Sequence, residues 1–278
     1  TSPIKNYRKE VLNDDYYNWN NIYYGNNNIM VNNPYHGTHV AGICLSKPLS
    51  IWNCSQLYPP IKLMIIRVVP NGDEYDKDVA LGIKYAVNNG ANIINMSFGK
   101  SFSPEQFLVN DAIKYAGTKN VLLIHSAGND KKDLNTNFSY PTPYPTLSDS
   151  IGLPYFITVG ASSDSMLFDS IQSSFSNYGY NKVDIMAPGV KMYSSIPFKD
   201  KYATNSGTSM AGPVVTHIAA LLWAYFPQLK ACQIKEILLK SAAIPTLHNF
   251  NKVCTSGGIV NAFNAIKLTN QIYKNKKK

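Results

Sequence analysis

The segment Ser206-Gly207-Thr208-Ser209-Met210-Ala211-Gly212-Pro213 constrains this chain more than any other. It follows the polar, turn-rich residues 199–205 and runs straight into the apolar stretch 214–226. That order reads as a loop feeding the N-terminus of a buried helix. Proline has no backbone N–H, so Pro213 is expected in the first helical turn, where that donor has no partner to lose. Gly207, without a Cβ, lets backbone approach closely. Ser209 would then sit where orphan N–H groups and the positive end of the helix dipole converge. Such a place favours a nucleophile whose reaction generates an oxyanion. A serine at a helix start is more often an ordinary cap, so the rest of the chain has to decide.

Upstream, apolar runs of strand character alternate with helical periodicity. Residues 61–69 are rich in Ile, Val, Leu and Met and predict a central strand. Val79, Ile83, Ala86 and Val87 fall on one helical face, and Asn89-Gly90 stops that helix. Residues 91–98 predict a second strand, 104–117 a second helix and 121–126 a third strand; 155–160 and 183–186 add two more. Helices are predicted again over 229–241 and up to 272. Strand–helix–strand alternation builds an α/β architecture, with a mostly parallel central sheet covered by helices on both faces. Ligands on such sheets bind beyond the carboxyl ends of the strands. Asn129 lies just past such an end, after Ser126-Ala127-Gly128.

A third stretch, His36-Gly37-Thr38-His39-Val40-Ala41-Gly42, completes a set. With Ser126-Ala127-Gly128-Asn129 and Gly207-Thr208-Ser209-Met210-Ala211, in this order, it closely resembles the subtilisin-like serine peptidases (subtilases). The resemblance covers residues 24–268. It implies a three-layer subtilisin-like fold and hydrolysis of peptide bonds by a serine endopeptidase. On it, His36 matches the catalytic base, Ser209 the nucleophile and Asn129 the oxyanion donor, while His39 matches a second, structural histidine. Ser97-Phe98-Gly99 matches the segment that pairs with an extended polypeptide substrate. Ala127-Gly128 matches the floor of the pocket before the cut, and Tyr140-Pro141-Thr142 a further wall.

The pattern departs from the family at the third triad member. The family carries its aspartate after a short apolar run, as Asp-[Ser/Thr]-Gly, and no such run precedes His36. Three accounts stay open: the aspartate lies upstream of Thr1, it is lost, or Asp14 or Asp15 replaces it. The Thr1 start favours the first. Asp14 and Asp15 otherwise read as solvated turn carboxylates. The competing reading of the whole chain is a truncated or inactive subtilase-fold protein that binds peptides without cutting them. A lipase-like hydrolase is excluded by the absence of a Gly-x-Ser-x-Gly elbow around Ser209.

Composition narrows the remainder. The net charge is +9, but the cations cluster only at Lys274 and Lys276-Lys277-Lys278, which reads as a solvated tail and not as a nucleic-acid face. No run reaches the ~20 apolar residues of a membrane span. The chain reads as one peptidase-like domain over 1–278, with 1–35 polar and irregular. Cys44, Cys54, Cys232 and Cys254 form no zinc-binding pattern; Cys44 and Cys54 could bridge, and free buried thiols are the equal alternative. No cofactor is required by the chemistry. The resemblance leaves a structural calcium open, yet Asp73, Glu74, Asp76 and Asp78 lack EF-hand spacing and read as surface charges. A secreted or cell-envelope location is expected from the resemblance.

Overall fold

The computed structural model describes residues 8–30, 33–46, 61–69, 72–144, 148–149, 151–164, 172–197, 201–246 and 252–275. Four parallel strands stand in the order β1 (Ile93–Met96), β2 (Leu122–Ser126), β3 (Phe156–Ser162) and β4 (Ile185–Pro188). Alternating side chains leave the sheet on opposite faces. Leu122, Ile124, Ile157 and Val159 enter one apolar layer, whereas Leu123 and Phe156 enter the other. Two helices, α2 (Asp76–Asn88) and α3 (Gln106–Thr118), close the second layer with Val79, Ile83, Val87, Ala112, Ile113 and Ala116. Three helices, α4 (Thr208–Tyr225), α5 (Ala231–Lys240) and α6 (Ala262–Asn275), cover the first. The expected three-layer α/β architecture is therefore present. The helix over α1 (Tyr35–Cys44) and a two-stranded antiparallel ribbon, β5 (Met192–Ser195) with β6 (Tyr202–Asn205), lie beside the start of α4.

α4 presents Ala211, Val215, Ala219 and Leu222 to the sheet, an i, i+4, i+8, i+11 stripe in which every residue is buried. Small residues bring it close: a Cβ added to Gly212 would stand 3.0 Å from Ser126 Oγ. The expectation for Pro213 needs correction. α4 starts at Thr208, so Pro213 lies in the second turn, where its missing N–H leaves the Ser209 carbonyl unpaired. The Ser97 hydroxyl supplies the missing donor, at 3.0 Å.

Two further expectations fail. Residues 61–69 form no strand: among the described residues β1 is the last strand on its side of the sheet, and Leu63, Met64 and Ile65 are exposed. Packing on α2, with Val68 over Gly82, and a hydrogen bond from Arg67 Nη1 to the Met30 carbonyl (3.2 Å) hold this segment. A run with strand composition stays unpaired when no ladder partner meets it. The N-terminal segment is also more structured than its composition suggests. Arg8–Leu12 makes a short π-helical turn, and Asp14 is buried. Asp14 accepts from Arg8 Nε (2.8 Å) and pairs with the Lys77 ammonium, which is itself buried. Arg8 continues to Asp78 at 2.7 Å. The Asp78 hydrogen bond leads in raising the Arg8 pKa above its ordinary value, against the pull of burial.

Of the cysteines, Cys44 and Cys254 are free and buried, while Cys232 is free and exposed; Cys54 and the lysines 276–278 fall outside the described residues. No described helix is long and apolar enough to cross a membrane.

Candidate active site

The site grows from the carboxyl ends of β1 and β2, where α4 begins. Thr208, buried at the first position of α4, ties that helix to the stretch 126–129 that ends β2. Its N–H and its hydroxyl both donate to Asn129 Oδ1, at 2.8 and 3.0 Å. Its hydroxyl oxygen accepts from Gly128 N–H at 3.1 Å, and its carbonyl accepts from Ser126 Oγ at 2.8 Å. These contacts settle the Asn129 carboxamide. A backbone N–H can only donate, so Oδ1 must face Thr208 and Nδ2 must face away. Nδ2 and the Ser209 N–H then flank one spot: a Cβ added to Gly207 would lie 3.5 Å from Asn129 Nδ2 and 3.7 Å from Ser209 N. Two donors beside a half-buried serine hydroxyl make a site suited to a developing oxyanion.

The loop carrying Asn129 is held by a residue the sequence reading missed. Asn177, buried, donates from Nδ2 to the Ala127 carbonyl (2.8 Å) and accepts at Oδ1 from Asp130 N–H (3.1 Å) and Lys132 N–H (2.8 Å). Its backbone N–H also donates to the Gly128 carbonyl at 2.9 Å. Gly128 has φ of +103°, and a Cβ there would meet Asn177 Nδ2 at 2.5 Å. In a chain rich in asparagine, nothing in the sequence marks Asn177 out.

Ser97, Phe98 and Gly99 continue from β1 past the site. Ser97 O accepts the Ser209 hydroxyl at 3.1 Å, so Ser97 and Ser209 exchange two hydrogen bonds. His125, buried in β2, donates from Nε2 to the Phe98 carbonyl at 2.8 Å. Burial lowers its pKa to about 4, which keeps it neutral near pH 7, against the opposing pull of that carbonyl. Its support for the Phe98 carbonyl was also not foreseen. Among the described residues, neither N–H nor C=O of Gly99 enters a hydrogen bond. Ala127, Gly128, Asn129, Ser97 and Ser209 thus meet at one rim.

His36 lies in the first turn of α1, which is fastened to the same region. Ser195 Oγ donates to Thr38 O (3.1 Å) and Ser194 Oγ to His39 O (2.8 Å). His39 Nε2 donates to Ala203 O at 3.1 Å, and His217 Nδ1 to Cys44 O at 2.9 Å. α1 therefore packs on α4 and on the ribbon that leads into Ser209. His36 is exposed and has no hydrogen-bond partner among the described residues. Partial desolvation by nearby protein, and next the adjacent His39, lower its pKa below the ordinary imidazole value, an effect that the exposure of the residue keeps modest.

No described carboxylate hydrogen-bonds to His36. Asp14, read as solvated, is buried between Arg8, six residues before it, and Lys77, 63 residues after it; the distant Lys77 is the partner that local sequence does not show. Asp15 is exposed and accepts from Tyr17 N–H at 3.2 Å. The surface-charge reading of Glu74, Asp76 and Asp78 is also overturned. Glu74 and Asp76 are buried, and Asp78 is paired with Arg8. Among the described residues, no group of three or more His, Cys, Asp or Glu side chains could hold a metal ion.

Comparison with known proteins agrees with this architecture. The family model described as "Subtilase family" matches residues 5–266. The cell wall-associated protease of Bacillus subtilis (strain 168) is 34% identical over 219 residues, which is 78% of this chain and 22% of that protein. The thermophilic serine proteinase of Bacillus sp. (strain AK1) is 36% identical over 188 residues, 67% of this chain and 42% of the relative. The chain thus spans less than half the length of either relative. Among solved structures, the prenylagaramide maturation protease PagA superposes with a TM-score of 0.63 at 26% identity, covering 84% of this chain and 82% of that one. Fold, motif order and a match running over nearly the whole length place the chain in the subtilase family.

Proposed function

We propose that the chain is a serine endopeptidase that cuts polypeptides bound in extended form. The orientation of the Asn129 carboxamide carries this reading: Thr208 takes its oxygen and leaves its N–H₂ beside the Ser209 N–H. In the proposed reaction the Ser209 hydroxyl leaves Ser97 O, transfers its proton to the His36 imidazole and attacks the scissile carbonyl carbon. The carbonyl oxygen, now negative, accepts from Asn129 Nδ2 and Ser209 N–H. The tetrahedral intermediate collapses, the C–N bond breaks, and His36 returns the proton to the leaving amine. Water repeats the sequence to release the acyl group. Gly99, with its backbone groups unpaired, supports the substrate strand along 97–99, and Ala127-Gly128 floors the pocket before the cut. These steps use side chains and backbone alone. A location outside the cytoplasm suits the name of the cell wall-associated relative.

The experiment is labelling with a fluorophosphonate. The wild-type chain should take up the probe at Ser209, and His36→Ala should slow uptake. A chain that stays unlabelled would support the second reading, a peptide-binding module. One observation favours that reading: among the described residues no carboxylate orients His36. The lowered His36 pKa gives a further expectation. Activity falls as the imidazole is protonated, so the acid limb of kcat/KM should lie below the ordinary value of about 6.5. A pH–rate profile with its limb at or above that value would contradict the assignment of His36 as base.

A further inference from the structure

β2 is apolar almost to its end and then places a histidine in the core. Leu122, Leu123 and Ile124 are fully buried, and His125, which follows them, is 1% exposed. An imidazole taken out of water needs a polar partner. Nε2 finds one in the Phe98 carbonyl, 2.8 Å away; a carbonyl only accepts, so Nε2 carries the proton. The ring thus reaches from β2 to the segment that continues β1, where Met96 is the residue in register with His125. The carbonyl it holds belongs to the same peptide unit as the Gly99 N–H. That unit is trans and planar, so its C=O and N–H point in opposite directions. With Phe98 O turned inward to His125, the Gly99 N–H is turned outward. The next unit is held likewise: Lys100 N–H donates to Tyr140 O at 3.1 Å, so the Gly99 carbonyl points away from Tyr140. A Cβ on Gly99 would stand 3.1 Å from His125 Nε2 and 3.0 Å from Tyr140 O, so the glycine leaves room for both anchors. Gly99 itself is exposed.

We infer that His125 is a positioning residue for bound peptide: its imidazole fixes the 98–99 peptide plane, so that the Gly99 N–H is presented to a carbonyl of an extended chain. The inference rests on the reading of 97–99 as the edge that holds a substrate. The glycine makes such a lock necessary. Without a Cβ, rotation of the peptide unit about its flanking bonds meets little resistance. A rotated plane would take the N–H out of line and turn Phe98 O outward, acceptor against acceptor. Burial holds the His125 pKa far enough down for the ring to be neutral near pH 7. A neutral ring suffices, because the role needs one N–H and no charge. An apolar side chain could fill the same space in a strand of leucine and isoleucine, but it could not orient the peptide.

The test is a binding cycle. The Ser209→Ala chain is titrated, by fluorescence anisotropy, with the tightest-binding member of a labelled hexapeptide library. Analogues replace one amide at a time by a trans-alkene, which keeps the shape and removes the carbonyl. At one position the replacement should weaken binding about three- to tenfold, the scale of one hydrogen bond. In Ser209→Ala/His125→Leu the parent peptide should lose a similar factor, and that same replacement should then cost nothing more. The other replacements should cost what they did before, whereas a merely structural defect would weaken every peptide alike. Ser209→Ala/His125→Gln, whose amide N–H can stand in for Nε2–H, should restore the original pattern. The absence of any binder, equal costs with and without the imidazole at every position, or a glutamine variant that behaves like leucine overturns the inference. Should His125→Leu fail to fold, NMR of the chain with His125 intact decides. The ring should carry its proton on Nε2, and exchange of the Gly99 N–H should slow about tenfold or more when peptide binds; an Nδ1–H ring or unchanged exchange overturns the inference. Fluorophosphonate labelling of the wild-type Ser209 needs no peptide on the edge. A labelled chain without the coupling sinks this inference alone, and an unlabelled chain that shows it sinks only the peptidase reading.

Discussion

Asn129→Ala will lower kcat by about 10²–10³, the size known for removing the oxyanion asparagine of a subtilisin, with little change in KM. The split follows from where the donor acts. Nδ2 faces the spot flanked by the Ser209 N–H, where in the proposed reaction charge develops only as the carbonyl is attacked, so its loss would weaken the transition state and spare ground-state binding. Alanine also removes the acceptor for Thr208 N–H and Oγ1, which could disturb the start of α4. Asn129→Asp separates the two effects. It keeps an oxygen toward Thr208 and puts a second oxygen where the donor stood. Its kcat should fall at least as far as that of Asn129→Ala, while its melting temperature stays nearer to wild type. A wild-type rate for Asn129→Asp in steady-state kinetics would remove the donor role.

Asp14→Ala will destabilise the protein by about 3–5 kcal/mol, the usual cost of breaking a buried ion pair from one side. The side chain of Asp14 is fully buried, and so nearly is that of Lys77, whose ammonium would lose its charged partner. Lys77 Nζ keeps only the carbonyls of Asp15 (2.8 Å) and Asn18 (3.1 Å), which accept hydrogen bonds but carry no charge. Calorimetry should show a fall in melting temperature of roughly 10 °C. Asp15→Ala is the matched control: that carboxylate is exposed, and its loss should stay within about 0.5 kcal/mol. Equal melting temperatures for the two variants would mean that residues 8–30 do not share the cooperative unfolding of the sheet.

The two carboxylates also show what sequence could and could not convey. Adjacent in the chain and alike in composition, Asp14 and Asp15 differ because Arg8 and Lys77 close around one of them. Lys77 and Asp78 belong to a helix more than sixty residues away. No local pattern encodes such a meeting. The same holds for Glu74 and Asp76, and for Asn177, which governs the Asn129 loop from 50 residues downstream. Residues 61–69 misled in the opposite way: their composition suits a strand, but pairing depends on a neighbour. The glycine-flanked clusters around His36, Asn129 and Ser209 were legible because their geometric demands are met within a few consecutive residues. The layered sheet was legible because period 2 in Leu122–Ile124 and period 3.6 in Val79–Val87 are local properties.

The paired bonds between Ser97 and Ser209 have a mechanical result. Pro213 opens a gap in the backbone ladder of α4, and a side chain from the end of β1 closes it. The proposed nucleophile and the edge proposed to hold a substrate are thereby clamped as one body. A strain applied to either, by a packing change under β1 or by a shift of α4, would carry both along and preserve their spacing.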